Sequence, residues 1–159
     1  MHVQKLINES RKSEKPEINP MVKYNNYPLR GLITCGQCGS TYTTTYTRKN
    51  GTMHRYYICG KRSKEGKQCC DAPILGAKAV ETHLANEMKD ICDSAELQQA
   101  LHEIISEYNQ EIVDDCLFNM DILLTKLSDE QLAELFDAVY ERIVFDPAQS
   151  AFLLTRRTL

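Results

Sequence analysis

Cys35 and Cys38 stand three positions apart in the run Cys35-Gly36-Gln37-Cys38-Gly39, and Cys59 and the pair Cys69-Cys70 follow at loop distance. No other feature constrains the fold of this chain as much. Two thiolates on a tight turn can meet one tetrahedral ion at about 2.3 Å each, and a second pair folded back onto them closes the coordination sphere. The expected ligands of a single zinc ion are Cys35, Cys38, Cys59 and Cys70, with Cys69 as the alternative to Cys70. Four thiolates leave no open position for water, so the expected zinc is structural. A redox reading of the CxxC pair would need that pair to open a helix after a βαβ strand, a context this sequence lacks. His54 falls inside a predicted strand and reads as a surface residue. Cys92 and Cys116 lie on apolar helix faces and read as core.

The sequence around the cysteines supplies the fold-back. Ser40 to Thr47 alternates Tyr42, Thr44 and Tyr46 with Thr41, Thr43 and Thr45, a period-two pattern of aromatic and β-branched residues. Asn50-Gly51 provides the positive φ angles of a tight reversal, and Met53 to Ile58 returns as the second strand.

Three regions follow from the pattern: residues 1–29, a helical stub carrying Val3, Leu6 and Ile7 followed by an extended linker arm; 30–76, the zinc ribbon; and 77–159, a helical region with C-terminal strands. Ala77 to Phe145 contains neither Gly nor Pro, which permits helix throughout. A helix from about Ala77 carries Val80, Leu84, Met88 and Ile91 on one face. Ser94 is the expected cap of a second, whose stripe runs Leu97, Leu101, Ile104, Tyr108, Ile112, Cys116, Met120, Leu123, Leu127. The mean step of that stripe, about 3.75 residues, suits a straight packed helix better than a coiled coil. It reads either as one long helix or as two reversing near Asp114-Asp115. Ser128 with Gln131 forms a capping box for a helix bearing Leu132, Leu135, Val139 and Ile143. Pro147 stops the regular pattern, and Arg142 to Phe145 and Ala151 to Thr155 are able to pair as a short terminal hairpin around Asp146 to Ser150. The expected fold class is α+β: a small zinc-ribbon β-hairpin domain, then a helical assembly with a short C-terminal β-hairpin.

Charge divides the chain. Met1 to Cys70 holds thirteen Lys and Arg against four Glu, about +9, whereas Asp71 to Leu159 holds six against eighteen acidic residues, about −12. A basic half suits nucleic acid. Candidate contacts are Arg48 and Lys49 at the hairpin tip, Arg55 on the return strand, Lys61, Arg62, Lys64 and Lys67 in the basic loop, and Lys23 and Arg30 on the arm. Arginines suit guanine edges and lysines suit phosphates. No apolar run approaches the roughly 20 residues of a membrane span. Met1 to Lys15 lacks the apolar core of a signal peptide, so the expected compartment is the reducing cytoplasm. No activated nucleophile, Gly-rich phosphate loop or HExxH is present. The expectation is therefore a non-catalytic chain with no small-molecule substrate and no membrane partner.

The run Tyr27-Pro28-Leu29-Arg30-Gly31-Leu32-Ile33-Thr34-Cys35-Gly36-Gln37-Cys38-Gly39 resembles the recombinase zinc-ribbon domain of large serine recombinases, the integrases and transposases of phages and mobile elements. The likeness continues through Tyr57-Ile58-Cys59, Cys70, Pro73, Leu75, Val80 and Glu81, and resumes from Leu127 to Phe145. Val3-Gln4 through Arg11 is similar to the tail of the preceding domain in that family. The resemblance implies a C-terminal portion that reads part of a double-stranded attachment site in DNA integration. It also implies other recombinase subunits as partners, and a bacterial or phage-encoded protein that is nucleoid-associated when bound. The family's serine nucleophile lies in a separate catalytic domain, and no residue here inherits that role. Only about thirty residues separate Glu96 from Leu127, so the family's long coiled coil is at most a shortened one here. The rival expectation is a protein-interaction module, in which the ribbon is only structural and the acidic helices bind a recombinase subunit or another protein.

Overall fold

The computed structural model describes residues 27–105 and 110–157. The stub at Val3 to Ile7, the arm with Lys23, and Tyr108 lie outside the described residues. After a turn at residues 28–32 the chain enters β1 (Ile33–Cys35), then β2 (Tyr42–Lys49) and β3 (Thr52–Cys59). Asn50 and Gly51 make the reversal between β2 and β3 with φ of 51° and 76°. These left-handed angles match a hairpin turn to the twist of its strands. The antiparallel register runs from Tyr42 opposite Cys59 to Lys49 opposite Thr52.

The segment expected as a basic loop is instead a short helix, α1 (Gly60–Glu65), which starts directly after Cys59. Lys61, Arg62, Lys64 and Ser63 are acceptable helix formers, and Gly66, at φ 96°, ends the turn. The two-residue strand β4 (Leu75–Gly76) adds to β3, giving the sheet order β2-β3-β4.

Helix α2 spans Ala77–Ile91 and buries Val80, Leu84 and Met88, the face its periodicity defines. Next comes α3 (Ser94–Ile104). Its cap is Asp93 rather than Ser94: the Asp93 carboxylate accepts from the Glu96 N–H at 2.8 Å. The stripe from Leu97 to Leu127 is buried or half-buried at every described position, yet it is not one helix, nor does it reverse at Asp114-Asp115. Both aspartates lie inside α4 (Gln110–Phe118). The stripe breaks after Ile104, where Ile105 takes an extended backbone, and again at Asn119, whose extended backbone and side-chain bond to Asp121 N–H start α5 (Met120–Lys126). Asn competes with helical hydrogen bonds through its own amide, which favours a cap over a helix interior.

Helix α6 (Asp129–Val139) opens with the capping box: Ser128 Oγ accepts from Gln131 N–H and Gln131 Oε1 accepts from Ser128 N–H. It stops before Ile143, which belongs to β5 (Tyr140–Asp146), and β6 (Ala151–Arg156) returns antiparallel to it. β1 pairs parallel with β5, Ile33 opposite Ile143 and Cys35 opposite Phe145, so the second sheet has the order β1-β5-β6.

One apolar core passes through both sheets and the helices. Tyr42 of β2 meets Phe145 of β5 edge-on, with ring centroids 6.2 Å apart. The Tyr140 hydroxyl donates to the Leu84 carbonyl at 2.6 Å. Cys92 and Cys116 are buried in this core. Among the described residues no helix is long and apolar enough to cross a membrane.

Candidate metal centre and basic hairpin

Cys35 closes β1, Cys38 lies on the turn after it, Cys59 closes β3, and Cys70 follows the turn after α1. Their four sulfurs all lie within 4.8 Å of one another. Cys35 Sγ and Cys70 Sγ are 3.8 Å apart, and Cys38 Sγ and Cys59 Sγ are 3.3 Å apart. Four sulfurs at about 2.3 Å around a tetrahedral ion stand about 3.8 Å from one another, so this set fits a zinc ion of the closed type. All four cysteines are free rather than disulfide-bonded. Cys35, Cys59 and Cys70 are buried and Cys38 is half-buried, whereas Cys69 is exposed and its sulfur does not join the cluster.

The backbone prepares the cluster for negative charge. N–H groups of Cys38 and Gln37 point at the Cys35 sulfur, those of Arg62 and Lys61 at Cys59, and that of Ala72 at Cys70. Such outer contacts orient thiolate ligands. Burial nonetheless pushes the thiols of Cys35, Cys59 and Cys70 up from their ordinary value. Burial also acts against the Cys38 thiolate, but the Ser40 N–H and hydroxyl together with the Cys59 and Cys70 thiols outweigh it and hold that thiol at about 6. Burial and the neighbouring sulfurs of Cys35 and Cys59 push the Tyr42 phenol up.

Two further links brace the metal turns. Gln37 Nε2 donates to Asp71 Oδ1 at 2.7 Å, joining the first cysteine turn to the last. Arg62 donates to the carbonyls of Ala72 at 2.6 Å and Asp71 at 3.4 Å.

The cations expected to contact a partner fall into three sets. Arg48 and Lys49 are exposed at the end of the hairpin, and Lys64 and Lys67 are exposed on and after α1, beside half-exposed Lys61. Arg62 and Arg55 are engaged inside the protein. Arg55 donates to both oxygens of Glu81, at 3.4 and 3.2 Å, and its guanidinium lies 5.4 Å from the Tyr27 ring centroid. Arg30 is half-buried, and Lys23 lies outside the described residues.

Glu81 is the buried acid that sequence reasoning passed over as a functional residue. It is 5% exposed, and among the described residues it is the one charged side chain the fold buries. The Tyr57 hydroxyl donates to its Oε1 at 2.9 Å and in turn accepts from Leu29 N–H at 3.1 Å. Burial pushes the Glu81 carboxyl up, while Arg55 and the Tyr57 hydroxyl pull it back. The available signal was its place on the otherwise apolar face of α2, one residue after Val80.

Comparison with known proteins places this geometry. Residues 28–89 match the family described as the recombinase zinc beta ribbon domain. No curated protein matches significantly in sequence. Among solved structures, a crystal structure of an LSR–DNA complex is similar at 16% identity and a TM-score of 0.54, covering 99% of this chain and 62% of that one. A structure concerned with the sequence requirements of the Listeria innocua prophage attP site is similar at 17% identity and a TM-score of 0.48, covering 98% and 52%. The chain therefore spans less than two thirds of either neighbour, and at such identity the first likeness speaks for a shared fold alone.

Proposed function

We propose that this chain, whose residues 28–89 form a recombinase zinc beta ribbon domain, is the DNA-binding C-terminal portion of a site-specific serine recombinase, without catalytic activity of its own. The observation that carries the reading is the family match over a four-cysteine centre whose hairpin ends in exposed Arg48 and Lys49. A structural zinc ion held by Cys35, Cys38, Cys59 and Cys70 supplies a cross-link that a hairpin this polar could not replace with apolar burial.

The hairpin is narrow enough to enter a major groove, where Arg48 is suited to a guanine edge and Lys49 to a phosphate. Lys61, Lys64 and Lys67 lie on and beyond α1, which starts at a metal ligand, so they are held in a fixed relation to the hairpin and suit the DNA backbone. Arg55 and Arg62 serve the protein's own structure instead. Duplex DNA of an attachment site is the proposed partner, with further recombinase subunits beside it, in a bacterial or phage-encoded, nucleoid-associated setting. Selection from a random duplex library by the zinc-loaded chain tests this reading: one enriched sequence, bound in a salt-sensitive way, supports it, and the absence of any enriched sequence defeats it.

A second reading draws on Phe118, which ends α4 with 87% of its surface exposed in the acidic half. An aromatic side chain placed so suits a protein contact. On that reading the helices bind a recombinase subunit, and Phe118→Ser abolishes that contact without altering DNA binding.

A further inference from the structure

The hairpin β2–β3 is anchored over only part of its length. At its base, Tyr42 and Tyr57 are fully buried and β4 pairs with Tyr56 and Tyr57. From Tyr46 to His54 every residue is exposed. Arg55, opposite Tyr46 in the register, is the last residue of β3 before this free part begins. Its guanidinium meets the Glu81 carboxylate of α2 through two nitrogens, at 3.2 and 3.4 Å. The same carboxylate takes the Tyr57 hydroxyl, and Tyr27, whose ring packs edge-on to Tyr57 at 5.8 Å, donates to Thr45 O of β2 at 2.9 Å. One buried acid on a helix thus gathers both hairpin strands and the entering chain at the point where the hairpin leaves the core.

We infer that the Arg55–Glu81 pair is a positioning device that fixes the direction of the hairpin relative to the helical half, and thereby sets which bases the tip can read. Glu81 and Arg55 are positioning residues in this account, and Arg55 itself touches no base. The lever arm makes the claim quantitative. About four residues separate Arg55 from the turn, roughly 13 Å of strand. A tilt of about 10° at the pair therefore moves the tip by about 2 Å, well beyond the roughly 0.5 Å within which a recognition contact must be held. A two-stranded ribbon has little stiffness of its own against such tilting, and a bidentate guanidinium–carboxylate contact restrains orientation as well as distance. The consequence for base reading rests on the DNA-binding function proposed above; the restraint on the hairpin does not.

The test uses the zinc-loaded full chain and its variants Glu81→Gln, Arg55→Gln and the double variant, each checked for one zinc per chain. Gln at position 81 keeps an oxygen for the Tyr57 hydroxyl. Arg55 has a more exposed side chain than Glu81, so its replacement gives a second route should Glu81→Gln fail to fold. Residual dipolar couplings compare the amides of β2 and β3 with those of α2. In the wild type both sets fit a single alignment tensor, and in the variants the hairpin amides depart from it. A single tensor retained in Glu81→Gln and Arg55→Gln overturns the inference. In parallel, the preference for the library-selected sequence over bulk DNA falls about tenfold, within the range of one bidentate base contact. The fall is the same in both single variants and in the double variant, with the salt dependence unchanged. Loss of preference in Arg55→Gln but not in Glu81→Gln makes Arg55 a base reader and also overturns the inference. If the tensors separate while the wild type selects no sequence, the positioning role stands and the DNA reading falls.

Discussion

Gly36 donates its backbone N–H to the carbonyl of Phe145 at 2.7 Å, so the turn between the first two cysteines is hydrogen-bonded to a strand 109 positions later in the chain. A Cβ on Gly36 would stand 2.7 Å from that same oxygen. The contact is between two backbones, so no side chain can swing aside to relieve it. Gly36→Ala is therefore expected to prise β1 from β5 and to destabilise the zinc-loaded chain by about 1–3 kcal/mol, the usual scale of overpacking. Thermal unfolding at saturating zinc measures this. A second consequence separates the contact from simple crowding: because β5 holds the Cys35 turn, the variant should also bind zinc more weakly than the wild type.

The metal centre yields its own expectation. Elemental analysis of the purified chain should return one zinc, and X-ray absorption should return sulfur neighbours alone at about 2.3 Å. Cys70→Ser loses the metal. Cys69→Ser keeps it, because the Cys69 side chain is exposed and outside the four-sulfur cluster. The pH dependence has a definite sign. Burial raises the thiols of Cys35, Cys59 and Cys70, so they carry their protons at neutral pH without metal, and zinc must displace those protons to bind. Apparent zinc affinity therefore climbs with pH and collapses on acidification, and the stability the metal supplies disappears with it. Titration against a competing chelator at several pH values checks the direction.

The cysteine spacing, the Tyr/Thr alternation and Asn50-Gly51 made the ribbon readable, because each is a local signal that the local backbone must obey. The same holds for Ser128 with Gln131. What was not readable is non-local. Nothing in Ile33-Thr34-Cys35 announces that its partner is Ile143-Val144-Phe145, since a parallel pairing leaves no turn signature between its strands. The boundary between residues 76 and 77 follows the change in composition, yet the sheet β1-β5-β6 and the Tyr42–Phe145 contact run across it. The stripe from Leu97 to Leu127 marked which residues are buried but not where the helices break, because a stripe continues in register across a one-residue cap such as Asn119. Arg55 and Arg62 read in the sequence as candidate DNA contacts by their places on the return strand and in the basic segment, and only tertiary neighbours, Glu81 and the carbonyls of Asp71 and Ala72, show them to be engaged.

The capping box offers a test confined to one helix end. Ser128 Oγ accepts from Gln131 N–H at 3.2 Å at an exposed position. Ser128→Ala removes one half of the reciprocal pair and should cost about 1 kcal/mol in chemical denaturation, with zinc content unchanged. Ser128→Asp should restore most of the loss, since a carboxylate there accepts from the same N–H and also favours the positive end of the helix.

The exposed cations separate into two functional groups, and the separation can be measured. Lys61, Lys64 and Lys67 belong to one short basic segment that begins directly after Cys59. If they face phosphates, each neutralised phosphate releases counterions, and the logarithm of affinity falls with the logarithm of salt at a slope of about −0.9 per contact. Replacing all three with Gln should weaken binding to every duplex and flatten that slope by up to about 2.7. Arg48 stands one residue from the end of β2, where a guanidinium can reach a base edge. Arg48→Gln should leave the affinity for bulk DNA nearly intact while lowering the preference for the selected sequence by about 1–3 kcal/mol. Arg62→Gln should behave like neither group. It loosens the segment after Cys70, so its first effect is weaker zinc binding, with any loss of DNA binding recovered at higher zinc. Titrations of the variants against selected and bulk duplexes over a range of salt decide among these outcomes. A triple Lys variant with an unaltered slope would remove α1 from the DNA interface, and an Arg48 variant with unaltered preference would remove the hairpin tip from base reading.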